Sequence, residues 1–102
     1  MTKAVRVHQV GGPEVLTYED VEVPAPGAGE VRIRQHAIGV NFIDTYFRSG
    51  LYKAPQLPFI AGNEASGEVV EVGPGVTGFH PGDRVAYYST LGSYAAERVF
   101  AA

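Results

Sequence analysis

The 102-residue chain contains no cysteine and no tryptophan, and it has a single methionine. Without cysteine it can form no disulfide and can offer no thiolate to a metal ion. No apolar run approaches the ~18 residues of a membrane-spanning helix. The first residues also lack the apolar core of roughly 7–15 residues that a secretory signal needs. These absences favour a cytoplasmic protein without a membrane partner.

Positive charge is also scarce, because 8 Lys and Arg stand against 11 Asp and Glu, giving a formal net charge of −3. The basic residues are scattered and form no stripe on which a phosphate backbone could bind, so we expect no nucleic-acid partner. The histidines, at positions 8, 36 and 80, are not spaced as metal ligands. No Gly-x-Ser-x-Gly elbow is present, and no base is evident beside any serine, so hydrolysis is unsupported.

Glycine and proline, by contrast, are abundant, with 13 and 7 residues, and they divide the chain at short intervals. The segments between them are rich in Val, Ile and Tyr and predict short strands. These are residues 4–10, 17–23, 30–38, 65–72, 84–88 and 94–100. In the third, Val31 and Ile33 alternate with Arg32 and Arg34, the period of a strand with one buried face. The pattern predicts a mainly β protein, an antiparallel barrel or sandwich.

One segment breaks this pattern and predicts a short helix. Asn41 suits the N-cap, Asp44 brings negative charge to the first turn, and Gly50 suits the left-handed C-terminal position. The residues at helical spacing on one face are Ile43, Tyr46, Phe47 and Gly50. We expect an irregular, extended crossing over residues 51–59, which include two prolines.

The glycines at positions 73, 75 and 78 do not form a phosphate cradle. A dinucleotide site has its glycine-rich turn between a strand and a helix. Here Pro74 interrupts the glycines and no helix pattern follows, so the segment predicts a loop that joins two strands. We therefore expect no Rossmann cofactor domain within these residues.

Three stretches, in consistent order along nearly the whole chain, resemble the medium-chain dehydrogenase/reductase superfamily. They are GPEVL at 12–16, IGVNFIDTYFRSGLY at 38–52 and PFIAGNEASGEVVEVGPGVTGFHPGDRV at 58–85. The resemblance implies a GroES-like, partly open antiparallel β-barrel with a short helix. It also implies that residues 1–102 are the N-terminal, substrate-side catalytic domain of an enzyme whose Rossmann domain lies outside this chain.

The chain differs from the zinc alcohol dehydrogenases of this superfamily at the metal positions. The position matching Asn41 is a zinc-binding cysteine in those enzymes, and the position matching Asn63 is a zinc-binding histidine. Amides are poor zinc ligands. A short connection through residues 89–92 also stands where those enzymes have a four-cysteine structural zinc loop. The resemblance therefore implies a domain without zinc.

The segments VNFIDTY at 40–46 and RSGLY at 48–52 resemble the quinone oxidoreductase branch. This implies a homodimeric enzyme that uses NADPH to reduce a quinone or a related conjugated carbonyl. A quinone is already electrophilic, so alignment and a few hydrogen-bond donors can replace a Lewis acid. Because the cofactor half is missing, we expect the isolated chain to be inactive.

The resemblance implies two overlapping sets of site residues and no acid or base. The substrate-binding set is Asn41, Tyr46, Tyr52 and Asn63. The cofactor-binding set is Asn41, Phe42, Ile43, Asp44, Thr45 and Tyr46. Glu64 follows Asn63 into the same cleft, whereas the tyrosines at 87, 88 and 94 are expected to be barrel residues.

Each of these residues also has a purely structural interpretation. Asn41 can serve as a helix cap alone, Asp44 as a terminal charge and Asn63 as a turn residue, while both tyrosines can be core aromatics. Arg48 suits either a cofactor phosphate or solvent at the helix end. Two other functions fit the same sequence: an alkenal or enoyl reductase of the same superfamily, and a noncatalytic GroES-like binding module.

Overall fold

The computed structural model describes residues 2–88 and 91–102, and the backbone alone of residue 100. The short connection predicted at residues 89–92 includes Ser89 and Thr90, which lie outside the described residues. The strands are β1 (Thr2–Val7), β2 (Leu16–Val21), β3 (Glu30–Ile38), β4 (Phe59–Ile60), β5 (Glu64–Val72), β6 (Arg84–Tyr88) and β7 (Glu97–Ala101). A 3-10 helical turn (Pro13–Val15) precedes β2, and helix α1 (Phe42–Ser49) follows β3.

The strands form two antiparallel sheets, in the orders β2-β1-β4 and β6-β5-β3-β7. An isolated bridge between Ala4 and Ala95 connects the first sheet to the segment before β7. The two sheets do not merge into one closed ladder, so the barrel is partly open. This confirms the predicted fold class. The loop at residues 73–83 joins the neighbouring antiparallel strands β5 and β6, as the sequence predicts.

Strand β3 is central in the larger sheet, with β5 and β7 on its two sides. Its apolar face contributes Val31 and Ile33 to a core cluster with Val69 of β5. The opposite face is polar, and there Arg32 Nε lies 2.7 Å from a carboxylate oxygen of Glu97. The alternation predicted for residues 31–34 is therefore confirmed, whereas residues 36–38 are all exposed.

The predicted ends of the first two strands were wrong. β1 ends at Val7 rather than residue 10, and β2 covers Leu16–Val21 rather than residues 17–23. The pairing of these two strands accounts for both ends, because their register runs from Thr2 opposite Val21 to Val7 opposite Leu16. Beyond these pairs neither strand has a partner in the other, so apolar residues alone could not extend the ladder.

The last predicted strand, residues 94–100, also begins too early, since β7 starts at Glu97. The Tyr94 N–H donates to the Ala61 carbonyl, and the Ala96 N–H donates to the Lys3 carbonyl. These bonds attach the segment to the smaller sheet before it reaches β3. The expected irregular crossing over residues 51–59 is present, except that Phe59–Ile60 pairs with β1 as β4.

Helix α1 has the predicted limits. Its N-cap is Asn41, with extended backbone at φ −132° and ψ 160°, and its C-terminal residue is Gly50 at φ 88°. The buried face differs from the predicted one, because Asp44 is the buried residue of the helix. Phe47 packs against a core cluster built around Val7. The helix therefore turns a carboxylate and a phenyl ring inward together.

Candidate functional site

The N-terminus of α1 is held by the carboxylate of Asp44, which is only 7% exposed. Its Oδ2 atom accepts a hydrogen bond from the Asn41 backbone N–H at 3.0 Å. The same oxygen accepts a hydrogen bond from the Tyr94 hydroxyl at 2.6 Å. Among the described residues, the other oxygen, Oδ1, is buried and has no hydrogen-bond partner. Asp44 thus links the residue before the helix to a residue far along the chain.

Tyr94 remains a hydrogen-bond donor well into the alkaline range. Burial raises the pKa of its phenol, and the hydrogen bond to Asp44 raises that pKa further. Both effects oppose the appearance of a second negative charge beside the carboxylate. The Tyr94 hydroxyl is therefore protonated at neutral pH and donates to Asp44.

The backbone around Tyr94 fixes the position of its ring. Its N–H donates to the Ala61 carbonyl at 2.8 Å, and its carbonyl accepts from the Val5 N–H at 2.8 Å. Gly62 provides space for the ring, because a β-carbon at this position would collide with it. The neighbouring Ser93 hydroxyl is fully buried and has no hydrogen-bond partner within residues 2–88 and 91–102.

The segments that carry Asn41 and Asn63 meet at one backbone hydrogen bond. The Gly39 N–H, two residues before Asn41, donates to the carbonyl of Glu64 at 3.1 Å. A β-carbon on Gly39 would collide with the Glu64 side chain. Asn63 is half-buried, whereas Glu64 is exposed. The structure therefore brings the two amide-bearing segments to the same end of β3 and β5.

Tyr46 and Tyr52 form an aromatic pair at the other end of α1. Their ring centroids lie 5.2 Å apart at an interplanar angle of 64°, an edge-to-face arrangement. The Tyr52 N–H also donates to the Tyr46 carbonyl at 3.0 Å, and Phe47 makes a second edge contact with Tyr52. Tyr52 is 47% exposed. The two rings thus pack against each other and remain partly exposed to solvent.

The predicted cofactor segment begins on an exposed apolar surface, the apolar rim, formed by Ile38, Val40 and Phe42. Val40 is 80% exposed and Phe42 is 83% exposed. Ile43 and Thr45 are half-buried, and the Thr45 hydroxyl donates to the Phe42 carbonyl at 2.6 Å. Large apolar side chains exposed side by side mark a surface that normally packs against something else.

Arg48 is not a solvated cation at the helix end. Its Nε donates to the Gly11 carbonyl at 3.3 Å, while the Gly11 N–H donates to the Arg48 carbonyl at 2.9 Å. The residue is half-buried and fastens the loop after β1 to α1. The predicted alternative of a free cation at this position was therefore wrong.

The donor atoms at the metal positions do not fit zinc, because Asn41 and Asn63 offer amides. Among residues 2–88 and 91–102, no group of three or more His, Cys, Asp or Glu could hold a metal ion. A cavity of about 810 Å³ borders β2, β4 and β7, and no predicted site residue lines it. Most of the predicted residues lie instead on α1 or beside it, and Asn63 lies directly before β5.

Sequence reasoning missed the roles of Tyr94 and Gly62 in this arrangement. The Asn41-x-x-Asp44 spacing resembles a capping box and could have indicated the hydrogen bond that the Asn41 N–H donates to the Asp44 carboxylate. Tyr94 had no such local signal, because it lies 50 residues from its partner. Its interpretation as a barrel residue was incomplete.

A partly open antiparallel barrel with one short helix is the architecture of a GroES-like domain. The model of the family "alcohol dehydrogenase GroES-like domain" matches residues 27–100. The chain belongs to this family. In the part of the chain that the structure describes, no helix has the length and apolarity needed to cross a membrane.

Similar proteins are oxidoreductases. A quinone oxidoreductase from Pseudomonas aeruginosa is 54% identical over 102 residues, covering 99% of this chain and 31% of the relative. A 2-haloacrylate reductase from Burkholderia sp. is 45% identical over 106 residues, covering 100% and 32%. The crystal structure of Escherichia coli quinone oxidoreductase complexed with NADPH gives a TM-score of 0.92 at 43% identity, covering 97% and 31%. The chain thus spans 31–32% of the length of these proteins.

Proposed function

We propose that residues 1–102 are the substrate-side domain of a cytoplasmic oxidoreductase that transfers a hydride from NADPH to a quinone without zinc. The observation that carries this proposal is the position of Asn41, whose backbone N–H is held by Asp44 directly before α1, together with the open Tyr46–Tyr52 pair near the end of that helix. The names of the relatives support the substrate class. The proposal includes a Rossmann domain elsewhere in the protein, a homodimeric assembly and no nucleic-acid partner.

The proposed substrate site acts by alignment and hydrogen bonding. The faces of Tyr46 and Tyr52 suit a flat quinone ring, and their hydroxyls, with the amides of Asn41 and Asn63, can donate to its oxygens. Reduction places negative charge on a quinone oxygen, and donors that are already fixed stabilise that charge without reorganising. This chemistry requires no acid or base from the chain during the hydride step.

The cofactor supplies the hydride when it is bound, and the residues present fit one edge of its site. The exposed Phe42 side chain offers an apolar contact for a flat ring, and the half-buried Ile43 and Thr45 extend the same surface. Asn41, Asp44 and Tyr46 complete the proposed set of cofactor contacts. The apolar rim is then covered by the cofactor and the domain that carries it.

A chimera tests this proposal directly. Residues 1–102 replace the matching segment of the P. aeruginosa quinone oxidoreductase, and NADPH oxidation is followed with 1,4-benzoquinone as acceptor. We expect robust turnover by the chimera and none by the isolated chain. Turnover by the isolated chain, or an inactive but folded chimera, would contradict the proposal.

Substitutions in the same chimera test the site. Asn41→Ala is expected to lower kcat/KM for the quinone by about 10²-fold, the usual effect of removing a fixed donor from a developing oxyanion. Tyr18→Phe is the matched control, because Tyr18 lies on β2, at the edge of the smaller sheet. Equal activity of the Asn41→Ala and Tyr18→Phe chimeras would remove Asn41 from the substrate site.

A second candidate is reduction of a conjugated carboxylate or enal, favoured by the 45% identity to the 2-haloacrylate reductase. The site chemistry is similar, because hydride again goes to a carbon conjugated to a carbonyl. Comparing kcat/KM for 1,4-benzoquinone and 2-chloroacrylate in the chimera separates the two. A preference for the acrylate would replace the quinone in the proposed function.

A further inference from the structure

We propose that Tyr94 is a positioning residue for Asn41 and acts on it through Asp44. This inference rests on the proposed function, in which Asn41 contacts the substrate. The path is a pair of hydrogen bonds to one oxygen: Tyr94 Oη to Asp44 Oδ2 at 2.6 Å, and Asn41 N to the same oxygen at 3.0 Å.

Asn41 needs such support because its neighbours provide little packing. Val40 and Phe42, on either side of it, are 80% and 83% exposed. A residue between two exposed side chains is held in place mainly by the hydrogen bonds of its own backbone. Two hydrogen bonds join Asn41 to Asp44: the Asn41 N–H donates to Oδ2, and the Asp44 N–H donates to the Asn41 carbonyl at 3.0 Å. The first runs through the side chain that Tyr94 holds, so the orientation of that carboxylate contributes to where the residue before α1 lies.

Tyr94 is fixed well enough to serve as the anchor of this path. Besides its backbone bonds to Val5 and Ala61, the carbonyls on both sides of it accept hydrogen bonds from one side chain of β3. Gln35 Nε2 donates to the Ser93 carbonyl at 2.7 Å and to the Ala95 carbonyl at 3.1 Å. The Tyr94 hydroxyl thus connects both sheets to the start of α1. Its hydrogen bond to Asp44 joins residues that are 50 positions apart in the sequence.

A hydrogen bond to a carboxylate is stronger than a neutral one, and the Asp44 carboxylate is buried. Removing the Tyr94 hydroxyl takes one of two hydrogen bonds from Oδ2 and leaves that of the Asn41 N–H, while Oδ1 has no partner in the part of the chain that the structure describes. The carboxylate is then free to rotate, and the geometry of Asn41 loosens with it. Small misplacements of a substrate-aligning group are costly to the reaction.

The experiment uses Tyr94→Phe, with Tyr18→Phe as the control that removes a hydroxyl from the edge strand β2. In the chimera, at a temperature where circular dichroism shows every variant folded, we expect Tyr94→Phe to lower kcat for 1,4-benzoquinone about tenfold and to change KM by less than about threefold. Combined with Asn41→Ala, the same substitution should have no further effect, because groups that act in series are not additive.

A second measurement does not depend on turnover. In the 102-residue chain, we expect Tyr94→Phe to speed hydrogen exchange of the Asn41 amide about tenfold, and Tyr18→Phe to leave it unchanged. If Tyr94→Phe does not fold, Asp44→Asn, which weakens both hydrogen bonds while keeping the side-chain shape, should speed the same exchange. An inactive parent chimera would contradict the proposed function, while the exchange rates would still decide the role of Tyr94.

Two results would overturn the inference. One is an unchanged Asn41 exchange rate in the folded Tyr94→Phe chain. The other is an equal loss of kcat from Tyr94→Phe with and without Asn41→Ala, since a purely structural role of Tyr94 would act independently of the amide.

Discussion

Gly62 has to be glycine for two reasons, its backbone conformation and the lack of room for a β-carbon. Its φ is 95°, in the left-handed region, and a β-carbon there would lie 2.5 Å from the Ser93 hydroxyl and closer still to the Tyr94 ring. Gly75 is similar in one respect only, because its φ is 82° but nothing lies within 4 Å of the position of a β-carbon. Comparing substitutions at the two glycines therefore separates the cost of a left-handed backbone from the cost of a steric collision.

We expect Gly62→Ala to lower the free energy of unfolding by about 3 kcal/mol or more, because it adds a core collision to the left-handed backbone. Gly75→Ala should cost about 1 kcal/mol, from the backbone alone. Urea unfolding followed by circular dichroism measures both. Equal costs would mean that the segment at Ser93 and Tyr94 can move away from an added methyl group without penalty.

Among the elements, β3 contributes most to the core of the larger sheet. Ile33 is fully buried between the strands on its two sides, and Val69 of β5 packs against it. We expect Ile33→Ala to lower the free energy of unfolding by about 2–5 kcal/mol, the cost of lost burial and a new cavity. In the apolar rim, Val40→Ala removes similar atoms from an exposed side chain, so its effect should stay within about 0.5 kcal/mol.

Denaturant unfolding of Ile33→Ala measures how much the burial of Ile33 on β3 contributes to the free energy of unfolding. Val40→Ala is the comparison at an exposed position. A large loss from Val40→Ala would show that the apolar rim is covered in solution. A small loss from Ile33→Ala would show that the sheet collapses around the missing side chain.

Local patterns predicted some elements to the residue and misplaced others. β3, β6 and α1 have their predicted limits because alternation, caps and flanking glycines lie within each segment. The ends of β1 and β7 depend on where a partner strand stops or a loop attaches. That information lies tens of residues away, and no pattern within the segment carries it.

In the candidate site, too, local patterns predicted some features and missed others. Asn41 and the Tyr46–Tyr52 pair belong to one continuous segment, so sequence alone could group them. Asp44 was predicted either as a cofactor contact or as a terminal charge, yet its burial depends on Tyr94, whose approach is fixed by β1 and the segment after β4. Long-range backbone pairing therefore decided what the local pattern could not.

For the whole molecule, the apolar rim has consequences in solution. If the rim normally packs against the cofactor half of an enzyme, the isolated chain exposes it to other copies. We expect the chain to self-associate, and Val40→Ser combined with Phe42→Ser to lower the average mass measured by light scattering. Leu57→Ser, which removes a 52% exposed side chain from the crossing before β4, should leave that mass unchanged.

If the chain is instead a noncatalytic binding module, we expect it not to self-associate. It would be monodisperse without any substitution and would unfold in one cooperative transition. A monodisperse parent chain of high thermal stability would therefore favour that alternative over the proposed enzyme domain.

The pairing of β3 with β7 affects how the chain folds while it is being synthesised. The Arg32–Glu97 ion pair closes a span of 65 residues, so β3 leaves the ribosome long before one of its two neighbours exists. Contacts between such distant residues form slowly, because closing the intervening chain costs entropy before any contact is gained. Until β7 has been synthesised, one edge of β3 stays open to other nascent chains, which makes the interval between the two strands the period of greatest aggregation risk.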